Sequence, residues 1–221
     1  MDYATILNDK RVSQIYENID GLAKQGDSWH WVYHGLTHVQ NTIDIAKQLM
    51  PILDIDRDVQ DAVLVALALH DIGKEYENEK NKRSGHAHSS YLFAQEYLAY
   101  QNIPHKTEIL QAIKNHSEPT NDNSLISALV FACDKLDITS KRIAAHGRTI
   151  KGQRQFQYVL GHQFELAGKN LITNFVYADG FDRAEWDEFF KGYPKWTNVT
   201  HNACQLLGLT SESRFVSSAT V

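Results

Sequence analysis

The chain has 221 residues, 43% of them hydrophobic and 22% charged, with a formal net charge of −5. That length and mixture fit one globular domain with a full core. The acidic balance argues against duplex nucleic acid as the main partner, because such binding depends on cationic surface. A small anion is not excluded, since bound metal ions supply positive charge locally whatever the overall balance. The two cysteines are Cys133 and Cys204. Cys133 sits in an apolar run, which suits a buried free thiol in a reducing compartment better than a disulfide. Met1-Asp2-Tyr3-Ala4 lacks the basic and apolar parts of a signal peptide, and no apolar stretch approaches membrane-spanning length. The expectation is a cytoplasmic protein without a membrane partner.

In chain order the periodic signal is helical. Leu7, Val12, Ile15, Ile19 and Leu22 predict a first amphipathic helix that stops near Gly26. His38 to Leu49 predicts a second, with Pro51 beyond its end, and Asp58 to Asp71 a third, apolar enough to be central. A polar loop from Tyr76 to Gly85 carries Glu77, Glu79, Lys80, Lys82 and Arg83, which suit solvent or a lid. His86 to Tyr100 and Lys106 to His116 read as helices, the latter closed by Ser117-Glu118-Pro119. Asn121-Asp122-Asn123-Ser124 starts another that runs to Asp137. Phe156 to Phe175 reads as a long helix, Trp186 to Phe190 and Val199 to Leu207 as shorter ones, and Ser217 to Val221 as a frayed tail. Without repeats or long linkers, the expectation is one all-α domain.

His70-Asp71 is the most informative pair. It ends the apolar run Ala62 to Leu69 and is followed by Ile72-Gly73-Lys74, so it puts an imidazole and a carboxylate where core meets cleft. Further candidate ligands lie on both sides: His34 and His38 before it, His86, His88, His116 and Asp134 after it. Each falls at a predicted helix end or inward face, and helices can converge such groups across long gaps. Imidazole with carboxylate suits iron, manganese, zinc or magnesium-type ions and leans away from structural zinc. Of the eleven histidines, His30, His105, His146, His162 and His201 have no partner at useful spacing and read as ordinary surface or core residues.

The order His38, then His70-Asp71, then Asp134 resembles the HD superfamily of metal-dependent phosphohydrolases, and Ile72-Gly73-Lys74 after Asp71 matches a common form of its second motif. The resemblance covers about residues 30 to 145 and leaves a C-terminal extension over about 146 to 215. It implies a helical bundle of the HD-domain type, with a metal held by His38, His70, Asp71 and Asp134. His86, ahead of Ser90, Phe93, Ala94 and Leu98, and His116 in Ile113-Lys114-Asn115-His116 resemble the second-metal histidines of the family's binuclear branch, with Asp71 bridging. His88 competes with His86, but residues two apart on a helix point to different sides. His86 is preferred on its downstream apolar spacing.

Tyr33-His34-Gly35-Leu36-Thr37-His38 is similar to the first motif of cyclic nucleotide phosphodiesterases in that superfamily, which implies that His34 donates a proton to a leaving oxygen. The alternative is that His34 caps or packs beside the helix. Lys74 is placed to reach a phosphate oxygen, or else is the solvated C-terminal cation of its helix. Lys135, Lys141, Arg142, Arg148, Lys151 and Arg154, with Asp137 among them, form a basic stretch that reads as a solvated face ahead of a phosphate-binding rim. Tyr177, Trp186, Phe189, Phe190, Tyr193 and Trp196 read as core packing ahead of a base-stacking wall. The sequence therefore leads to the expectation of a phosphohydrolase using one or two divalent ions (manganese, iron, magnesium, zinc or nickel) on a small phosphorylated substrate such as a nucleotide. A di-iron oxygenase on the same scaffold and a nucleotide-binding sensor are the alternatives.

Overall fold

The computed structural model describes residues 1–24, 31–76, 85–118, 123–193, 196 and 198–220. Sequence expectations placed on Gly26, His30, the stretch 77–84, Pro119, Asn121, Asp122 and Val221 lie outside them. Among the described residues, no helix is long and apolar enough to cross a membrane.

The first amphipathic stretch is two helices, α1 (Tyr3–Leu7) and α2 (Lys10–Lys24). Asp2 caps α1 through the Thr5 amide at 2.8 Å, and Asp9 accepts the Arg11 amide at 2.7 Å to restart the chain as α2. Helix α3 (Leu36–Ile52) has no side-chain cap of its own; instead the Asp20 carboxylate of α2 accepts the Gly35 amide at 3.1 Å. A β-carbon at Gly35 would lie 2.4 Å from the Tyr16 carbonyl oxygen, so glycine is what lets α2 and α3 meet here. Pro51 falls inside the last turn of α3, not beyond it, and the helix ends one residue later.

Helix α4 (Arg57–Leu69) buries every residue from Ala62 to Leu69 and packs against α3, α6 (Lys106–Asn115) and α7 (Leu125–Leu136). Ser124 caps α7 through the Ser127 amide, and Ile126 to Leu136 are all buried. Between α4 and α5 (His86–Tyr97) the chain forms a 3₁₀ turn, Ile72–Tyr76. Its Gly73 amide donates to Ser90 Oγ at 2.9 Å, and a β-carbon there would meet the His86 carbonyl at 2.3 Å. This close approach sets the start of α5 beside the end of α4.

The expectation of an all-α chain is corrected by a three-stranded sheet in the C-terminal third. The helix predicted over Phe156 to Phe175 is instead a 3₁₀ turn (Gln153–Tyr158), strand β1 (Val159–Ala167) and most of β2 (Asn170–Tyr177). Gly161 and Gly168 each cost a helix about 1 kcal/mol. Gly168, at φ 62°, instead opens the two-residue loop that pairs Ala167 with Asn170. Phe164, Ile172, Thr173, Phe175 and Val176 are β-branched or aromatic residues suited to a pleated surface. After α8 (Arg183–Lys191) and α9 (His201–Leu206), β3 (Thr210–Ser217) joins parallel to β2, giving the order β1-β2-β3. The predicted frayed tail is thus a paired strand through Ser217, then a short 3₁₀ turn to Thr220.

The sheet is not separate from the helices. Phe175 lies against Trp186 of α8 and Phe215 of β3, β1 touches α3, and the Ser140 amide donates to the Val159 carbonyl at 2.8 Å. One buried apolar cluster runs from Ile6 to Cys204.

Candidate metal centre

The ends of three helices and the starts of two others meet at Asp71. His38 lies in the first turn of α3, His70 and Asp71 directly follow α4, His116 follows α6, Asp134 lies in the last turn of α7, and His86 begins α5. His38 and His70 are fully buried, and Asp71, His116 and Asp134 are at most 2% exposed. Leaving water is costly for such groups unless something charged compensates.

The imidazoles divide into two pairs. His38 Nε2 and His70 Nε2 are 3.2 Å apart, and His86 Nε2 and His116 Nε2 are 3.1 Å apart. Asp71 stands between them. Its Oδ2 is 3.6 Å from His38 and 3.7 Å from His70, while its Oδ1 is 3.2 Å from His116 and 3.5 Å from His86. Asp134 Oδ1 closes the first group at 3.2 Å from His38 and 3.9 Å from His70.

The far side of each ring fixes what these nitrogens can be. His70 Nδ1 lies 2.8 Å from the Leu67 carbonyl and His116 Nδ1 lies 2.7 Å from the Ile113 carbonyl, in each case three residues back on its own helix. A carbonyl oxygen only accepts, so each Nδ1 carries the proton and each Nε2 presents a lone pair. His38 Nδ1 likewise directs its proton to the Asp137 carboxylate at 2.7 Å; burial and Arg142 oppose a charge on this ring, but Asp134 and Asp137 outweigh them and raise its pKa, so a cation at Nε2 takes the place of a proton there. Lone pairs that converge on one another and on carboxylates are what a cation requires. His38, His70 and Asp71 place donor atoms within 4.8 Å of one another, and so do Asp71, His86 and His116. The residues fit divalent ions.

Charge within the cluster follows the same plan. Burial pushes the Asp71 carboxyl up, but His70, His116, His34 and His86 outweigh it and hold the group well below the usual carboxylate range. Burial also opposes ionisation of Asp134, which Lys135 and His38 hold low; Lys135 Nζ is 2.6 Å from its Oδ2. Burial drives His70 down to about 3, so it stays neutral. His34 precedes α3 instead of lying on it, with its ring centroid 5.8 Å from that of His38. Burial, then the Lys74 and Arg142 cations, hold it well below the ordinary imidazole value, and its enclosed Nδ1 has no hydrogen-bond partner among the described residues.

A cleft of about 280 Å³ opens over the cluster. Asp71, Asp134, His86, His116 and His34 line its floor, with Lys74, Lys135 and Arg142 as cations and Trp31, Phe156 and Trp196 as aromatic walls. His88 lies outside it, exposed and stacked on Tyr91. The basic stretch divides. Lys135 and Arg142 are buried at the cleft, whereas Lys141, Arg148, Lys151 and Arg154 are exposed, Arg154 paired with Glu185. Arg142 also clamps the carbonyls of Asp137 and Tyr33, tying the end of α7 to the segment before α3. The aromatic region divides too, since Trp196 reaches the cleft while Trp186 and Phe190 are core.

Three residues here were not singled out by sequence. Trp31 and Phe156 carry no motif. Asp137 was counted among a run of cations, although its place three residues after Asp134, one helical turn on, was a usable signal.

Comparison with known proteins agrees with this geometry. The family model of the HD domain matches residues 35–139, a stretch that spans α3 to just past α7 and holds all six clustered residues. None of the curated proteins matches the sequence. The chain thus carries an HD domain over residues 35–139.

Proposed function

We propose that the protein is a metal-dependent phosphohydrolase that holds two divalent ions through His38, His70, Asp71, His86, His116 and Asp134, with a small phosphorylated molecule as substrate. The observation that carries this reading is the division of Asp71, one oxygen toward each imidazole pair. The HD superfamily consists largely of metal-dependent hydrolases, which supports the reaction class. Bound divalent ions supply Lewis acidity at phosphorus and lower the pKa of water.

The chain's own groups do the rest. Lys135 and Lys74 bring positive charge to the cleft, where it favours phosphate oxygens and the charge that develops on them. Lys135 also keeps Asp134 ionised. His34 enters neutral; an anionic phosphoester beside it raises its proton affinity, so that it takes up a proton from solvent as the substrate binds and gives that proton to the leaving oxygen. Trp31, Phe156 and Trp196 narrow the cleft and offer flat apolar faces, which favours a substrate with a planar ring such as a nucleotide.

The test is phosphate release by manganese-loaded protein across nucleotides and simple phosphoesters, with Asp71→Ala as the control. The expected result is turnover that falls at least roughly a thousandfold in the variant, while near-ultraviolet circular dichroism stays unchanged. Undiminished hydrolysis by folded Asp71→Ala ends the reading. Oxygen consumption without phosphate release points to a di-iron oxygenase, and tight nucleotide binding without turnover points to a sensor.

A further inference from the structure

The two halves of the cluster are built from the same residue types but are supported differently. In one half, His116 hands its Nδ1 proton to a backbone carbonyl, a neutral acceptor, and His86 is still 19% exposed. In the other half, His38 hands its Nδ1 proton to a carboxylate. Asp137 is fully buried, and its Oδ2 lies 2.7 Å from His38 Nδ1. Asn41 Nδ2 donates to the same carboxylate at 3.3 and 3.4 Å, and Thr139 Oγ1 donates to its Oδ1 at 3.2 Å. Among the described residues, the hydrogen-bond partners of Asp137's side chain are His38 Nδ1, Asn41 Nδ2 and Thr139 Oγ1, so the pocket calls for a group that accepts.

We propose that Asp137 is a positioning residue that makes the His38, His70, Asp71 and Asp134 half the tighter of the two ion sites, so that it fills first. This rests on the two-ion reading above. A carboxylate behind a ligand imidazole locks the tautomer, fixes the ring plane and increases electron density at the ligating nitrogen. A backbone carbonyl does the first two and less of the third. Asp137 itself does not enter the cleft, so it acts only through His38.

The experiment is stepwise titration of the metal-free protein with Mn²⁺, followed by calorimetry, together with the visible spectrum of the Co²⁺-loaded protein. Wild type is expected to bind in two separable steps. Asp137→Asn keeps the size of the group but turns an NH₂ toward one of three donors. It is expected to weaken the first step by roughly 10- to 100-fold, leave the second step close to its original value, and shift the Co²⁺ bands. Its metal-free melting temperature serves to separate this from a general loss of packing. Should Asp137→Asn fail to fold, Asn41→Ala leaves the carboxylate in place but frees it to rotate, and a weakening of the first step by a few-fold is expected. An unchanged first step and spectrum in folded Asp137→Asn, or an unchanged first step in Asn41→Ala where Asp137→Asn does not fold, overturns the proposal. Absence of metal binding in wild type instead overturns the two-ion reading on which it rests.

Discussion

The stretch from α3 to α7 and the part after it differ in how they build the same cleft. The first supplies the floor, from groups fixed at helix ends, each held by a contact on its far side: Leu67 behind His70, Ile113 behind His116, Asp137 behind His38. The second supplies much of the wall, from Phe156 within a 3₁₀ turn and Trp196 after α8, together with Trp31 from ahead of α3. Floor residues are constrained by what an ion demands of donor atoms, whereas wall residues are constrained only by shape. Changes in the floor should therefore abolish chemistry, and changes in the wall should redirect it.

The largest effect, after loss of a ligand itself, is expected where the floor depends on backbone contact. Gly73→Ala places a β-carbon 2.3 Å from the His86 carbonyl and 2.5 Å from the Ser90 amide, both backbone atoms that cannot swing aside. The start of α5 must move, and His86 with it. Overpacking of this kind costs about 1–3 kcal/mol, and a displaced ligand should lower activity by roughly a hundredfold. Thermal melting and phosphate release measure the two losses. Wild-type turnover in Gly73→Ala would show that His86 is not needed where it stands.

A wall residue should behave otherwise. Trp31 meets Phe156 edge-on at 5.3 Å and Phe189 at 6.2 Å, so truncation leaves the other rings to hold the wall. Trp31→Leu is expected to raise KM for a nucleotide by roughly five- to tenfold, about the worth of one aromatic contact, with kcat nearly unchanged. For a ringless phosphoester neither constant should move. Equal losses on both substrates would mean that Trp31 supports the floor instead.

That division also explains what could be read from the sequence. The clustered residues were legible because His70-Asp71 at the end of an apolar helix and Asp134 inside another are polar groups where burial is otherwise apolar. Asp137 was not, because an acidic residue at a helix end looks the same whether it faces water or His38. The sheet was missed because apolar residues in Phe156 to Phe175 satisfy a helical spacing; only the glycines and the density of β-branched and aromatic residues argue for strands. His34 was legible as a residue but not in its protonation, which depends first on burial and then on Lys74 and Arg142 arriving from elsewhere in the chain.

His162 joins the two regions and gives the subtlest test. From β1 it lies nearly parallel to Phe164 at 6.1 Å and edge-on to Phe175 at 5.0 Å, and its enclosed Nε2 has no partner among the described residues. Burial lowers it to about 4, against the opposing pull of Asp137 and the Leu136 carbonyl. Between its unfolded value of about 6.5 and about 4, the unfolded chain binds a proton that the folded one excludes. Its stabilising share is therefore complete above about pH 6.5 and is lost as pH falls toward 4. His162→Phe puts a third ring between two others and removes this dependence. It also gives up the favourable field of the Leu136 carbonyl and Asp137 on the imidazole, so the variant should melt slightly below wild type at pH 7.5. The gap should close and then reverse by about pH 5, since each unit of pKa displacement is worth about 1.4 kcal/mol. The comparison is made on metal-free protein, where the clustered imidazoles and carboxylates are common to both variants and cancel in the difference. Melting curves that stay parallel from pH 7.5 to 5 would mean that His162 already reaches water in the folded state, and that the sheet seals the back of the metal centre less tightly than its geometry implies.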